Sequence, residues 1–455
     1  LGKYLGMPIL HTKVNKATYT ELLDKVRSRL AGWQSKQLSF VGRATLIKSV
    51  LTTVPNYSMQ TSLLPCSVVE EIEKIARGFL WGDSSTERKL HHVGWGEVSQ
   101  PKGRGGLGIR RLSRVNKALL AKASWRLMDS DEALWKQVLR EKYCGRQGEL
   151  FLKKVGDSHT WKSICEGSKV IARGRKWRIG NGKSALFWTD RWLIDAPLVE
   201  EAEGELNPEI LQRKVGEYWR AGEGWKWDEL EGVLTLDTLA KLKGYCVVHG
   251  EDNPDVMSWS PEVRGEFTTA SAYEILLEEE QLGPKAKAWE RIWKQRGPER
   301  WQFLLWMVRH GKLLTQKEKK RRPLALEDKC PICREHAETA LHALRDCAWI
   351  KSIWRSLVFP HFWEEFFSKS MIDWIDWNLT QDGIGAGGRV VWQLIFQITT
   401  YHAWRARNGF AFKGENNFLK MSPIALRQLA EQVRQLLVNG RGRSSKKECF
   451  IRWIP

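Results

Sequence analysis

Cys330-Pro-Ile-Cys333-Arg-Glu-His-Ala-Glu-Thr-Ala-Leu-His342-Ala-Leu-Arg-Asp-Cys347 is the stretch on which the reading of this chain turns. Two cysteines three positions apart can offer both thiolates from one tight turn, and Pro331 favours such a turn. A histidine and a third cysteine follow and complete four donors. Cys330, Cys333, His342 and Cys347 are therefore the expected ligands of one Zn2+ ion. Three sulfurs and one imidazole leave no position for water, so the expected zinc is structural and orders a loop with little core of its own. The plainer alternative is three buried cysteines near a surface histidine. His336 competes with His342 for the fourth place, but it is cramped so soon after Cys333. The short helix expected from Glu338 must end near Arg345-Asp346, because a straight helix would not place His342 and Cys347 on one face. His336-Ala-Glu338 also supplies the pieces of a zinc deaminase. In that signature, however, His-x-Glu precedes the cysteine pair, and here it follows.

The other cysteines, at 66, 144, 165, 246 and 449, show no pattern, which suits a reducing compartment. With 455 residues, 42% hydrophobic and 28% charged, the chain has room for two to four globular domains and is not disordered throughout. Its 25 tryptophans are spread along the whole length. Core filling is expected for most of them, and base stacking for a minority. The net charge of +20 favours a polyanionic partner, with nucleic acid the commonest. No apolar run approaches the ~18 residues of a membrane span, and no signal-peptide pattern opens the chain. The expected partners are RNA or DNA, held mainly by the phosphate backbone, with no membrane and no small-molecule substrate. The expected location is intracellular, nucleus or cytoplasm. Leu1 and the closing Trp453-Ile-Pro455 read as cut ends of something longer.

The fold class expected is mainly α with short β-hairpins. Residues 1–145 read as a basic helical region, with helices over Tyr19–Trp33, Gly42–Val54, Ser67–Trp81 (Ser67 as cap), Asn116–Met128 and Ala133–Tyr143. Residues 1–130 hold 21 Lys and Arg against 9 Asp and Glu. Residues 146–258 read as a linker region, with a hairpin at 176–188 around Asn181-Gly182 and an acidic stretch at 198–255. Residues 259–365 form the expected zinc-binding domain. It holds a second hairpin at Trp259–Phe267, a helix at Ala272–Glu279 capped by Thr269 or Ser271, a helix at Trp289–Leu314, and the basic run Lys317, Lys319, Lys320, Arg321, Arg322. Residues 366–455 read as C-terminal helices, including Val390–Arg407 and Leu419–Leu437, ending in a strip with Arg441, Arg443, Lys446 and Lys447.

Gly103-Arg-Gly105-Gly-Leu-Gly108 matches a dinucleotide fingerprint, yet Gln100-Pro101-Lys102 before it is a turn rather than the buried strand that motif requires. There is no P-loop, no Gly-x-Ser-x-Gly, no His-Glu-x-x-His and no Asp-Asp pair. No catalytic centre assembles from these residues.

Taken together, several motifs resemble the plant non-LTR (LINE-type) retroelement reverse transcriptase polyprotein. They are Lys3-Tyr-Leu-Gly-Met-Pro8, Leu30-Ala-Gly-Trp33, Leu38-Ser-Phe-Val-Gly42-Arg43, Phe79-Leu-Trp-Gly82, Gly105-Gly-Leu-Gly-Ile109, Trp177-Arg-Ile-Gly-Asn-Gly182, Trp188-Thr-Asp-Arg-Trp192 and Trp404-Arg-Ala-Arg-Asn408. The Cys330–Cys347 cluster resembles that family's reverse-transcriptase zinc-binding domain. The resemblance implies that residues 1–145 follow the polymerase palm as a thumb-like region, and that a ribonuclease H domain would begin after residue 455. It also implies that both catalytic motifs lie outside this sequence, so the expectation is a non-catalytic fragment that grips nucleic acid. Lys25, Arg27, Arg29, Arg43 and Lys48, with the 317–322 basic run, are the candidate phosphate contacts.

Overall fold

The computed structural model describes residues 3–4, 7–8, 14–34, 38–84, 86–128, 133–143, 151, 153–220, 222–247, 253–278, 287–381, 383–385, 388–415 and 421–439. The 441–447 basic strip, Cys144, Cys449, Glu279, Leu419 and Trp453–Pro455 lie outside them. The described chain is mainly helical with small two-stranded sheets, as expected. It divides into two compact units, each drawn from three stretches: 1–26, 52–73 and 111–282 in the first, and 27–51, 74–110 and 283–455 in the second.

In the first unit the helix Leu112–Met128 packs against His159–Gly174. Gly167 permits the close approach, since a Cβ there would lie 2.3 Å from the Leu120 carbonyl carbon. The first helix begins four residues earlier than Asn116. The carboxylate of Glu73 accepts the Leu112 amide at 3.0 Å and supplies a remote cap. Asn116 instead ties a turn: its side chain accepts from Leu64 N and donates to the carbonyls of Met59 and Ser62. Such a partner cannot be read from local spacing.

The expected 176–188 hairpin does not form with itself. Arg175–Arg178 pairs antiparallel with Val256–Trp259. The Asn181-Gly182 loop is held by Asp255, whose carboxylate accepts the amides of Gly180, Gly182, Ser184 and Ala185. The stretch 198–255, expected to be acidic and in part a linker, is not loose over 198–247: it shares a core with 179–192, built around Phe187, Trp188, Trp192, Tyr218 and Trp225. Trp259 returns through a turn to Gly265, and the helix Thr269–Glu278 is capped by Thr268 rather than by Thr269 or Ser271.

In the second unit the expected Trp289–Leu314 helix is two helices, Lys287–Lys294 and Glu299–Arg309. Gly297, at φ +122°, and Pro298 break it. Ser67 lies inside the helix Cys66–Trp81, which starts from the Pro65 carbonyl. The core joins Lys287–Lys294 and Glu299–Arg309 to Ala348–Leu357, Met371–Thr380, Gly388–Lys413 and Pro423–Asn439, with Trp301, Trp354, Trp374 and Trp392 fully buried. Cys330, Leu344 and Cys347 belong to the same core.

Candidate metal centre

The cysteine turn is built first by its backbone. Arg334 N donates to Cys330 O at 2.9 Å, Cys330 N donates to His336 O at 2.8 Å, and Lys329 bridges Ala337. Closing so tight a loop puts Arg334 at φ +60°. Thr339 then starts the next turn, where its hydroxyl accepts the His342 amide at 3.0 Å.

Five residues of ordinary α-helix rotate the chain about 500°, leaving the two ends about 140° apart around the axis. The structure avoids this with a π-helical turn over His342–Asp346, closed by Cys347 N donating to His342 O at 2.9 Å. The expected helix end at Asp346 is present. The wider turn is what lets Cys347 face the same point as His342.

The four donor atoms lie within 4.8 Å of one another. The sulfurs of Cys330 and Cys347 are 3.9 Å apart, and Cys333 Sγ is 3.4 Å from His342 Nε2. An ion about 2.3 Å from two sulfurs in tetrahedral geometry would hold them about 3.8 Å apart, so this set fits Zn2+. Cys330, Cys347 and His342 are buried and Cys333 is half-buried. The Cys330 thiol is held well below the ordinary thiol range, first by its contact with Cys347, then by His342 and the amides of Cys333 and Ile332. Contact with Cys330 pushes Cys347 and His342 upward. Cys330, Cys347 and His342, coupled in this way, can give up protons to one cation. His336 is exposed and is not in the four-donor group.

Sequence reasoning missed the support of this loop. Glu338 and Arg407, 69 positions apart, form an ion pair with neither side chain exposed, and Arg407 Nε donates to Glu338 Oε1 at 2.7 Å. Glu338 Oε2 also accepts the Gln316 amide at 2.7 Å, at the head of the helix Gln316–Arg321. The Arg-Ala-Arg of 405–407 was legible as a motif, but its partner was not. Arg345 is likewise buried and donates to the carbonyls of Phe366 and Lys369.

The candidate phosphate contacts fall into two groups. Lys25, Arg27 and Arg29 lie exposed on the helix Thr20–Gln34, and Lys317, Lys320 and Arg321 are exposed on or beside the metal centre's neighbouring helix. Others face inward. Arg43 donates to the Leu80 carbonyl at 3.0 Å, and Lys48 is half-buried. Arg321 and Arg322 both grip Glu318, and Arg322 also donates to His92 O at 3.0 Å. The Arg321 bond comes first among the causes that hold the Glu318 carboxyl down at about 2. Lys319 lies 4.4 Å over the Phe412 ring. In the glycine loop the amides of Gly106, Leu107 and Gly108 donate to Pro101, Val98 and Gln100, so they do not cradle a phosphate.

Residues 267–354 match the model of the family described as zinc-binding in reverse transcriptase, and all four donors fall inside that span. Fold and centre thus define a protein with a zinc-binding domain of the reverse-transcriptase kind. The chain is 37% identical over 415 residues to an Arabidopsis thaliana protein named "Putative ribonuclease H protein", covering 90% of this chain and 66% of that protein. It is also 32% identical over 145 residues to an uncharacterised mitochondrial protein of Arabidopsis thaliana, covering 31% of this chain and 94% of that protein. The chain belongs to this plant family of retroelement, reverse-transcriptase-related proteins. It spans slightly less than two thirds of the longer relative. No helix among the described residues is long and apolar enough to cross a membrane.

Proposed function

We propose that this chain is a nucleic-acid-binding part of a non-LTR (LINE-type) reverse transcriptase, held in shape by a structural zinc ion and without catalytic residues of its own. The observation that carries the reading is the closed Cys3His set joined through Glu338 to the basic helix Gln316–Arg321. Cys330, Cys333, His342 and Cys347 would hold the zinc, which supplies cross-linking and no chemistry. Residues 1–145 act as the thumb-like grip through Lys25, Arg27 and Arg29, and residues 259–365 as the zinc-binding domain. Lys317, Lys319 and Lys320 give the second set of phosphate contacts, on RNA or DNA and with little sequence preference. Arg43, Arg321 and Arg322 position these surfaces through the intramolecular contacts described above. The protein works where nucleic acid is found, in nucleus or cytoplasm.

The test is fluorescence anisotropy with a labelled primer–template across a salt series. Phosphate-dominated binding with about six contacts loses roughly a thousandfold in affinity between about 50 and 200 mM salt. Lys25→Glu with Arg29→Glu should weaken binding and reduce that slope. A flat salt profile contradicts the reading. It would favour a second one, a protein-interaction scaffold, which the inward use of Arg43 and Arg322 supports.

A further inference from the structure

We propose that Lys48 and Lys102 together hold one phosphate group of a nucleic-acid strand, in a small pocket beside the last glycine of the 103–108 loop. This deepens the nucleic-acid reading above and rests on it. Both lysines line one pocket of the second unit, together with Trp293, Glu299 and Phe303. They converge at Gly108. A Cβ on that residue would lie 3.8 Å from Lys48 Nζ and 3.7 Å from Lys102 Cγ, and its φ of +71° keeps the position to glycine. The glycine motif thus has a role in this protein that is not the dinucleotide one: its amides bind their own chain, and its last residue leaves room for the Lys48 amine and the Lys102 stem.

Lys48, Lys102 and Glu299 are the charged side chains that line the pocket. Burial first, and then the charge of Lys102, bring Lys48 down to about 8, with Glu299 opposing. The walls are aromatic: Phe303 stacks on Phe40 at 4.0 Å, and Lys102 Nζ lies 4.7 Å over the Trp293 ring. Low-polarity walls strengthen any charge pairing inside, so an anion that bridges both amines relieves their repulsion. A phosphate oxygen pair offers the acceptors that two ammonium groups require.

Pyridoxal 5′-phosphate is a suitable probe, since it carries an aldehyde and a phosphate. Its aldehyde condenses with a neutral amine, releasing water, and borohydride reduces the imine to a stable secondary amine that peptide mapping locates. At pH 7.5 the full chain should be labelled at Lys48 well ahead of exposed Lys25. Inorganic pyrophosphate, and a 5′-phosphorylated oligonucleotide, should each suppress that labelling roughly tenfold or more. Lys102→Met should remove the protection while the circular dichroism melt stays unchanged. Protection by an unphosphorylated strand as well would assign an internal phosphodiester, and protection by the phosphorylated strand alone would assign the strand end. Labelling of Lys48 no faster than Lys25, or no protection by pyrophosphate, overturns the pocket. Protection by pyrophosphate with none from either strand overturns the nucleic-acid ligand. The salt-series binding assay is read separately, so failure of the pocket and failure of nucleic-acid binding are told apart.

Discussion

With its side chain wholly buried, Glu338 pairs with Arg407 and also fixes the Gln316 amide. Removing one member of a buried pair leaves the other charge uncompensated, at a cost of about 3–5 kcal/mol. Glu338→Gln should lower unfolding stability in urea by about that much, and adding Arg407→Met should recover a large part of it. A single variant as stable as the parent would show that the pair does not carry the loop. The four zinc donors were legible because they lie within 18 consecutive residues and their spacing encodes a turn. Glu338 and Arg407 were not, because buried charges meet in space and their 69-residue separation leaves no pattern. The inward turn of Arg43 and Arg322 was invisible for the same reason, since a basic residue reads alike on a surface or against a carbonyl.

Asp255 shows how an element is closed by something outside it. Its two carboxylate oxygens accept four amides of the 180–185 loop, at 2.7 to 3.3 Å. Asp255→Asn replaces one acceptor with a donor that faces N–H groups. In native-state hydrogen exchange, either the Gly180 and Gly182 pair or the Ser184 and Ala185 pair should exchange roughly tenfold faster or more, which corresponds to about 1.4 kcal/mol. Unchanged protection at all four amides would refute this role. Helix positions were largely readable from apolar spacing, as at Thr20–Gln34, Cys66–Trp81 and Leu134–Tyr143. Helix starts were less so where a remote group caps them, as Glu73 does at Leu112. The Asn181-Gly182 turn suggested a local hairpin, but the strand's partner is Val256–Trp259, and Asp255 beside it explains the long-range choice. The π-turn at His342–Asp346 is the reverse case: the five-residue spacing showed that regular helix must fail there, without showing how.

Across the whole molecule, the net charge of +20 was visible at once, whereas the assembly of each unit from three stretches was not. Sequence order suggests consecutive regions, but burial follows whichever apolar faces meet. Tryptophan illustrates this, since Trp161, Trp188, Trp192, Trp259, Trp301, Trp306, Trp354, Trp374 and Trp392 are all fully buried. Several of these indoles also satisfy their N–H inside, as Trp354 does on the Leu344 carbonyl at 2.8 Å and Trp306 on that of Gly105 at 2.6 Å. The bond from Trp354 ties the π-turn to the core, so loss of the metal centre should be felt throughout the second unit.

Metal content of the purified full chain, by native mass spectrometry beside the Cys330→Ser/Cys347→Ser double variant, tests the central claim most directly. About one zinc per parent chain is expected, with none in the variant and a lower melting temperature. A folded parent chain that carries no zinc, or a variant that keeps it, would contradict the account.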